Sequence, residues 1–361
     1  MLELIFKPYI DSFILLNLLR YITFRIGAAA VTAMLLSYII GKFLIPRFYL
    51  LKFQEKINED VPDRHLTKAG TPTMGGAIII ISLLVSTILW ANITNLFILL
   101  ALGSTLWMGF IGFIDDYMKM KHPKAKGLLA KHKFLSQAVL GLIVAFAIYF
   151  YFPVAELRTY TEVPFFKHYM INLGLFYIPF VTIVVSGSSN AINLTDGLDG
   201  LATGLIAIAA SAFTVVAYIS GRIDFSEYLN IKFLPGSGEL AVFCAAIVGA
   251  ALGFLWYNTH PAEIFLGDTG SLAMGTALGV TSILLKKEFL LILVGGVFVA
   301  ETVSVILQVG SYKLRKKRIF KMAPIHHHFE LCNWHESKIV VRFWIIGIIC
   351  AIAGLSLLKL R

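Results

Sequence analysis

Apolar runs long enough to cross a bilayer recur along the whole chain, and no other feature limits the fold as severely. Stretches such as Phe134 to Phe150 and Leu240 to Trp256 carry no charge. Only a helix satisfies its own backbone polar groups inside hydrocarbon at this run length, so each run predicts a transmembrane helix. The composition agrees, with 58% hydrophobic residues and only 14% charged, against about a quarter charged in soluble domains. The fold class is therefore all-α, a polytopic membrane protein.

Ten spans are predicted, at roughly 22–44, 74–91, 96–115, 134–152, 171–189, 200–220, 240–257, 269–286, 289–310 and 341–358. They form one integral-membrane domain over residues 1–361, with no internal repeat of the kind inverted-repeat transporters show. The connections 42–72, 116–133, 186–199, 258–268 and 310–342 then share one side. Three of them hold six, six and eight of the 31 basic residues. The positive-inside rule makes that side cytoplasmic and both termini periplasmic. The net charge of +10 is thereby a topology signal, not a nucleic-acid footprint. The N-terminus shows no signal-peptide cleavage pattern, so the first span is expected to be retained. Cys244, Cys332 and Cys350 have no metal or redox spacing and read as small hydrophobes.

Five of the nine aspartates lie at the cytoplasmic ends of these spans. Carboxylates beside lipid are costly and persist where they bind a cation or do chemistry. Asp115 and Asp116 close the third span in GFIDDYMK. Successive helix positions are about 100° apart, so one acid can bind a metal while the other meets substrate or a lysine. Asp268, in IFLGDTGS, opens the eighth span as an N-cap or as a third acid of the same metal site. Oxygen ligands favour Mg2+ over zinc. Asn190, Asn193, Asp196 and Asp199 step by three and would share one face of a helical turn; Asp196 or Asp199 can alternatively cap a helix. Lys68 and Thr73, in KAGTPTMGG, sit in a glycine- and hydroxyl-rich segment at a helix start, suited to an anion. Lys131 and Lys133 can hold phosphate oxygens or merely set topology. His326, His327 and His328, in PIHHHFE, suit a phosphate or sugar contact better than a zinc site. Phe265 can stack on a planar ring or simply pack. The basic stretch Lys313 to Lys321 fits an anionic inner leaflet. Glu301 is a lone acid inside the ninth span, with an open role.

KAGTPTMGG, GFIDDYMK, SNAINLTDGLDGLA, WYNTHPAEIFLGDTGS and PIHHHFE occur in this order. In them the chain resembles, over its whole length, the phospho-N-acetylmuramoyl-pentapeptide transferases, a branch of the polyprenyl-phosphate N-acetylhexosamine-1-phosphate transferases. The resemblance implies transfer of phospho-MurNAc-pentapeptide from UDP-MurNAc-pentapeptide to undecaprenyl phosphate, giving lipid I and UMP, in the bacterial inner membrane with the site facing the cytoplasm. It implies Asp268 on Mg2+ with Asp115 and Asp116 beside it, and Lys131 and His327 placing phosphates. Lys68, Thr73, Asn190, Asn193, Asp196 and Asn258 would hold the nucleotide, with Phe265 stacked on uracil. It also implies a homodimer and a membrane-facing groove near the fifth and ninth spans for the lipid chain. Two routes compete: attack by Asp116 through a phospho-enzyme, or direct attack by the lipid phosphate with Asp115 assisting. A phosphate monoester is already mostly dianionic at neutral pH, which favours direct attack. A sister enzyme using another UDP-sugar is the alternative; the histidine triplet speaks against it. A prenyltransferase would carry Asp-rich motifs of longer spacing, and a transporter would carry acids nearer the bilayer midplane.

Overall fold

The computed structural model of the chain describes residues 17–51, 70–121, 127–164 and 170–359, together with Leu2 and Phe6. Helices dominate it: α1 (Ile22–Leu50), α2 (Gly76–Trp90), α3 (Leu96–Lys121), α4 (Ala130–Tyr151), α5 (Tyr177–Thr195), α6 (Leu201–Ser220), α7 (Ile223–Leu229), α8 (Gly238–Asn258), α9 (Gly267–Leu284), α10 (Glu288–Val294), α11 (Gly296–Arg315), α12 (Ile325–Glu330) and α13 (Glu336–Leu357). Nine of the ten predicted spans each coincide with one helix, and the ninth is divided between α10 and α11. Eight of the helices are long and apolar enough to cross a membrane, and α2, with 15 residues, is shorter.

Burial ranks the helices. In α8, 78% of the spanning window is buried, against 22% in α11, while α9 is buried continuously from Thr269 to Leu284. These two helices are the core. α8 packs against α1, α2 and α6, and α9 against α2, α3 and α5. Small residues make the approach possible, as expected where lipid cannot drive helices together by apolar burial alone. α1 buries a stripe at i, i+4 spacing, Arg25, Ala29, Ala33, Ser37, Gly41 and Ile45. Facing it, Gly249 of α8 lies so close that a Cβ would sit 1.9 Å from the Ala30 carbonyl oxygen.

Two expectations change. The ninth span is not one helix: α10 ends at Val294, Gly295 leaves helical geometry, and α11 begins at Gly296. A short antiparallel hairpin, β1 (Tyr160–Glu162) with β2 (Met170–Asn172), also precedes α5. It is pinned to the α9–α10 connection: Thr161 donates to Glu288 at 2.7 Å and Lys287 pairs with Glu162. Lys286 donates to the Tyr177 hydroxyl at 2.8 Å. This buried charge cluster ties the end of the molecule opposite the aspartates.

Candidate active site

Asp115 and Asp116 lie within α3 rather than at its end, because the helix runs on to Lys121. Their side chains diverge as adjacent helix positions must. Asp116 faces the start of α9, where Oδ1 accepts the Asp268 backbone N–H at 3.2 Å. Its Oδ2 accepts the Thr269 N–H at 2.9 Å and the Thr269 hydroxyl at 2.6 Å. It thus caps α9 from another helix, satisfying N-terminal donors and the positive end of the dipole. Asp268 is accordingly not the N-cap; it sits in the first turn behind Gly267, whose φ is +72°. A Cβ on Gly267 would stand 2.8 Å from both Asp116 Oδ2 and Thr73 Oγ1, so only glycine fits.

Asp115 turns the other way. Its Oδ1 accepts the Leu128 N–H at 2.6 Å, while Oδ2 lies 2.9 Å from both Lys119 and Lys133. The same two ammonium groups reach Asp268 Oδ2, at 3.1 and 2.6 Å. Asn193 donates to Asp268 Oδ1 at 2.6 Å and to Ser271 at 2.8 Å. One carboxylate oxygen from each of Asp115, Asp116 and Asp268 lies within 4.8 Å of the others, so a single cation could meet all three. Three carboxylates facing two ammonium groups leave one excess negative charge. Both lysine contacts to Asp115 Oδ2 are ion-pair contacts without hydrogen-bond alignment, so this buried oxygen keeps a lone pair.

The other expected residues divide. Thr73 is buried beside Asp116, and the segment before α2 pairs with that before α9: Phe265 N–H donates to the Pro72 carbonyl at 2.9 Å, and Gly75 and Gly76 donate to the Phe265 and Leu266 carbonyls at 2.8 Å. Phe265 is half-buried at this junction. Asn258 is a buried brace, receiving the Thr203 hydroxyl at 2.7 Å and donating to the Ile264 carbonyl at 2.9 Å. Asn190 pairs with Gln137 of α4 at 2.9 Å. The shared helical face ends at Asn193: α5 stops at Thr195, Asp196 is its C-cap with non-helical backbone, and Asp199 lies in the following turn, ahead of Gly200 at φ +77°, which precedes α6. Asp199 caps no helix either. It accepts the Ala262 N–H at 3.1 Å and contacts His260 at 3.1 Å, with Glu336 3.4 Å from His260. Lys131 is exposed on α4, while Lys133 reaches the acids. Lys68 lies outside the described residues. On α12 the histidines fan out. His326 is fully buried against Glu301. His327 lies 2.6 Å from Glu330, and His328 Nδ1 accepts the Lys321 N–H at 3.2 Å.

The sequence reading missed Lys119, His260 and Glu336. Lys119 could have been found, since it stands four residues after Asp115 on one helix face; the other two had no such signal. An apolar groove of about 310 Å³ also opens between α5, α10 and α11, from Phe180 to Ile192 on α5. Its upper limit is the residue before Asn193. Thirteen residues of helix, twelve rises of about 1.5 Å, make it about 18 Å long.

Residues 98–286 match the family model described as glycosyl transferase family 4. Residues 68–80 match phospho-N-acetylmuramoyl-pentapeptide-transferase signature 1. Relatives named phospho-N-acetylmuramoyl-pentapeptide-transferase include one from Gemmatimonas aurantiaca, 49% identical with all of both chains covered. Another, from Geobacter sp. strain M21, is 50% identical with all of both chains covered. A third, from Thermodesulfovibrio yellowstonii, is 51% identical over 96% of each chain.

Proposed function

The chain belongs to the phospho-N-acetylmuramoyl-pentapeptide transferases of glycosyl transferase family 4, and from that membership we propose how its residues divide the work. It is an enzyme that transfers phospho-MurNAc-pentapeptide from UDP-MurNAc-pentapeptide to undecaprenyl phosphate, releasing UMP and leaving lipid I in the membrane. The observation that carries this reading is the meeting of three carboxylates and two lysines from α3, α4 and α9 beside the upper end of an apolar groove.

Asp115, Asp116 and Asp268 fit Mg2+: the donors are hard oxygens and Asp115 Oδ2 is buried without an aligned hydrogen bond. When bound, the ion supplies neutralisation of phosphate charge. Asp268 is the leading ligand, with Asp115 next. Asp116 offers at most one free lone pair on Oδ1, because its other positions serve α9. Lys119 and Lys133 bind phosphate oxygens that displace them from the acids, and Asn193 orients Asp268. Lys131 and His327 supply further phosphate contacts, with His326 and His328 near the sugar phosphate. Lys68, Thr73, Asp196, Asp199 and Asn258 hold or frame the nucleotide, Asn190 supports Asn193, and Phe265 stacks on uracil. The groove takes the prenyl chain and leads its phosphate to Asn193.

Direct attack by the lipid phosphate is favoured, since three donors from α9 hold the Asp116 carboxylate and blunt its nucleophilicity. The enzyme works as one integral domain and a homodimer in the bacterial inner membrane. The basic residues gathered at the aspartate end, Lys313, Arg315, Lys316, Lys317 and Arg318 among them, support a cytoplasmic site.

UMP release in detergent tests the reading. It is expected only when UDP-MurNAc-pentapeptide, undecaprenyl phosphate and Mg2+ are all present, and Asp268→Asn should abolish it with the thermal unfolding midpoint retained. Release from a different UDP-sugar but not from this donor would move the chain to the sister enzymes. Rapid-quench capture of a phospho-aspartate at the turnover rate would replace direct attack by the two-step route.

A further inference from the structure

Glu301 is fully buried within α11, and no role above uses it. Its neighbour is His326 of α12, equally buried. Glu301 Oε1 lies 3.1 Å from His326 Nδ1, and the His326 backbone N–H points to Oε2 at 3.5 Å. The side-chain contact is close but not aligned: Oε1 and both ring nitrogens have no hydrogen-bond partner. Three adjoining polar atoms without hydrogen-bond partners in one buried contact are costly, and such a group calls for an explanation. The far side of the ring meets Gly197, where a Cβ would stand 2.3 Å from His326 Nε2. Gly197 belongs to the turn that carries Asp196 and Asp199. On another face of α11, Phe298, Val299 and Thr302 line the apolar groove. The pair therefore spans from the groove wall to the turn.

We propose that Glu301 is a positioning residue for the transfer, holding His326 so that Nε2 is presented to a substrate phosphate at the 196–198 turn. A carboxylate behind an imidazole fixes which nitrogen carries the proton and how the ring is turned. On binding, the ring takes a second proton from solvent and rotates until Nδ1–H donates to Glu301 Oε1 and Nε2–H donates to a phosphate oxygen. The unsatisfied atoms gain partners together, and the N–H bond to that proton is the only bond made. This inference rests on the transferase reading above.

The test is a double-mutant cycle on the full-length protein in detergent, with Glu301→Gln, His326→Asn and the pair. Asparagine keeps a donor near the Nδ1 position for Glu301 and removes Nε2. UMP release by Glu301→Gln should fall in kcat by about 10- to 100-fold, the range for a carboxylate behind a functional histidine. In the His326→Asn background the same change should add less than about threefold, since the carboxylate acts only through the ring. Full, independent losses from both changes, or wild-type turnover by Glu301→Gln, would overturn the proposal. If Glu301→Gln does not fold, His326→Asn decides: folded and slow supports it, folded and fast ends it. A wild-type protein that releases no UMP sinks the transferase reading alone. The pairing is then read from the His326 side-chain nitrogen resonances in 15N-histidine-labelled protein: Glu301→Gln shifts them if the carboxylate sets the ring, and leaves them unmoved if it does not.

Discussion

Asp115 and Asp116 are adjacent in sequence yet do opposite work, because a helix turns one toward two lysines and the other onto the start of α9. The lysines decide the electrostatics. With Lys119 and Lys133 in place the three carboxylates carry one uncompensated charge; Lys133→Met leaves two. At about 4 Å and an effective dielectric near 20, one unit charge is worth ~4 kcal/mol for each charge on a nearby cation. The half-saturating Mg2+ concentration should therefore fall in Lys133→Met, while kcat drops by about a hundredfold for want of a phosphate donor. Exposed Lys131→Met should change kcat only a few-fold. Mg2+ titrations of UMP release check both, and unchanged Mg2+ dependence in Lys133→Met would remove Lys133 from the charge balance. The acids were legible in the sequence because a carboxylate at a span end is expensive. Which lysine of α4 serves them was not, since Lys131 and Lys133 both look like topology-setting charges until the fold aims one of them inward, whereas Lys119 is marked by its place four residues after Asp115.

At the level of elements, the long helices could be read directly, since twenty apolar residues admit one structure in lipid. The break at Gly295 and the β1–β2 hairpin could not, because both depend on a buried cluster, Glu162, Lys286, Lys287 and Glu288, whose members are far apart in sequence. The site itself depends on how closely α3 meets α9. Gly112 of α3 faces the first turn of α9, where a Cβ would sit 2.3 Å from the Asp268 carbonyl oxygen and 2.7 Å from Thr269 Cα. Both obstacles are backbone, so Gly112→Ala must push the helices apart. Overpacking of this kind costs about 1–3 kcal/mol, and a shift of about 1 Å between Asp115 and Asp268 can cost ~10²-fold in rate. Gly103→Ala in the same helix, with nothing within 4 Å of its Cβ, should leave melting and turnover near wild type. Thermal unfolding and UMP release on the two variants separate crowding at this contact from any general effect of alanine in α3.

Across the whole molecule, the acid cluster and the apolar groove meet because α5 belongs to both. Ser188, Ala191 and Ile192 line the groove, and Asn193, one position on, holds Asp268. A chain lying along α5 therefore ends its apolar part where the hydrogen-bonding part of the helix begins. Gly187 offers a way to fill the groove without disturbing the fold. It lines the groove, and a Cβ placed on it would meet nothing within 4 Å. Gly187→Trp should fold with an unchanged melting temperature, since its ring enters space that lipid otherwise fills. Its KM for undecaprenyl phosphate should rise about tenfold or more, the loss of roughly 1.4 kcal/mol of apolar contact. The KM for UDP-MurNAc-pentapeptide should stay put, because the residues proposed to hold the nucleotide lie beyond Asn193. Initial rates with each substrate varied in turn read the two constants separately. A Gly187→Trp enzyme with both constants unchanged would mean that the lipid chain enters elsewhere, whereas a rise in both would mean that α5 had moved as a whole.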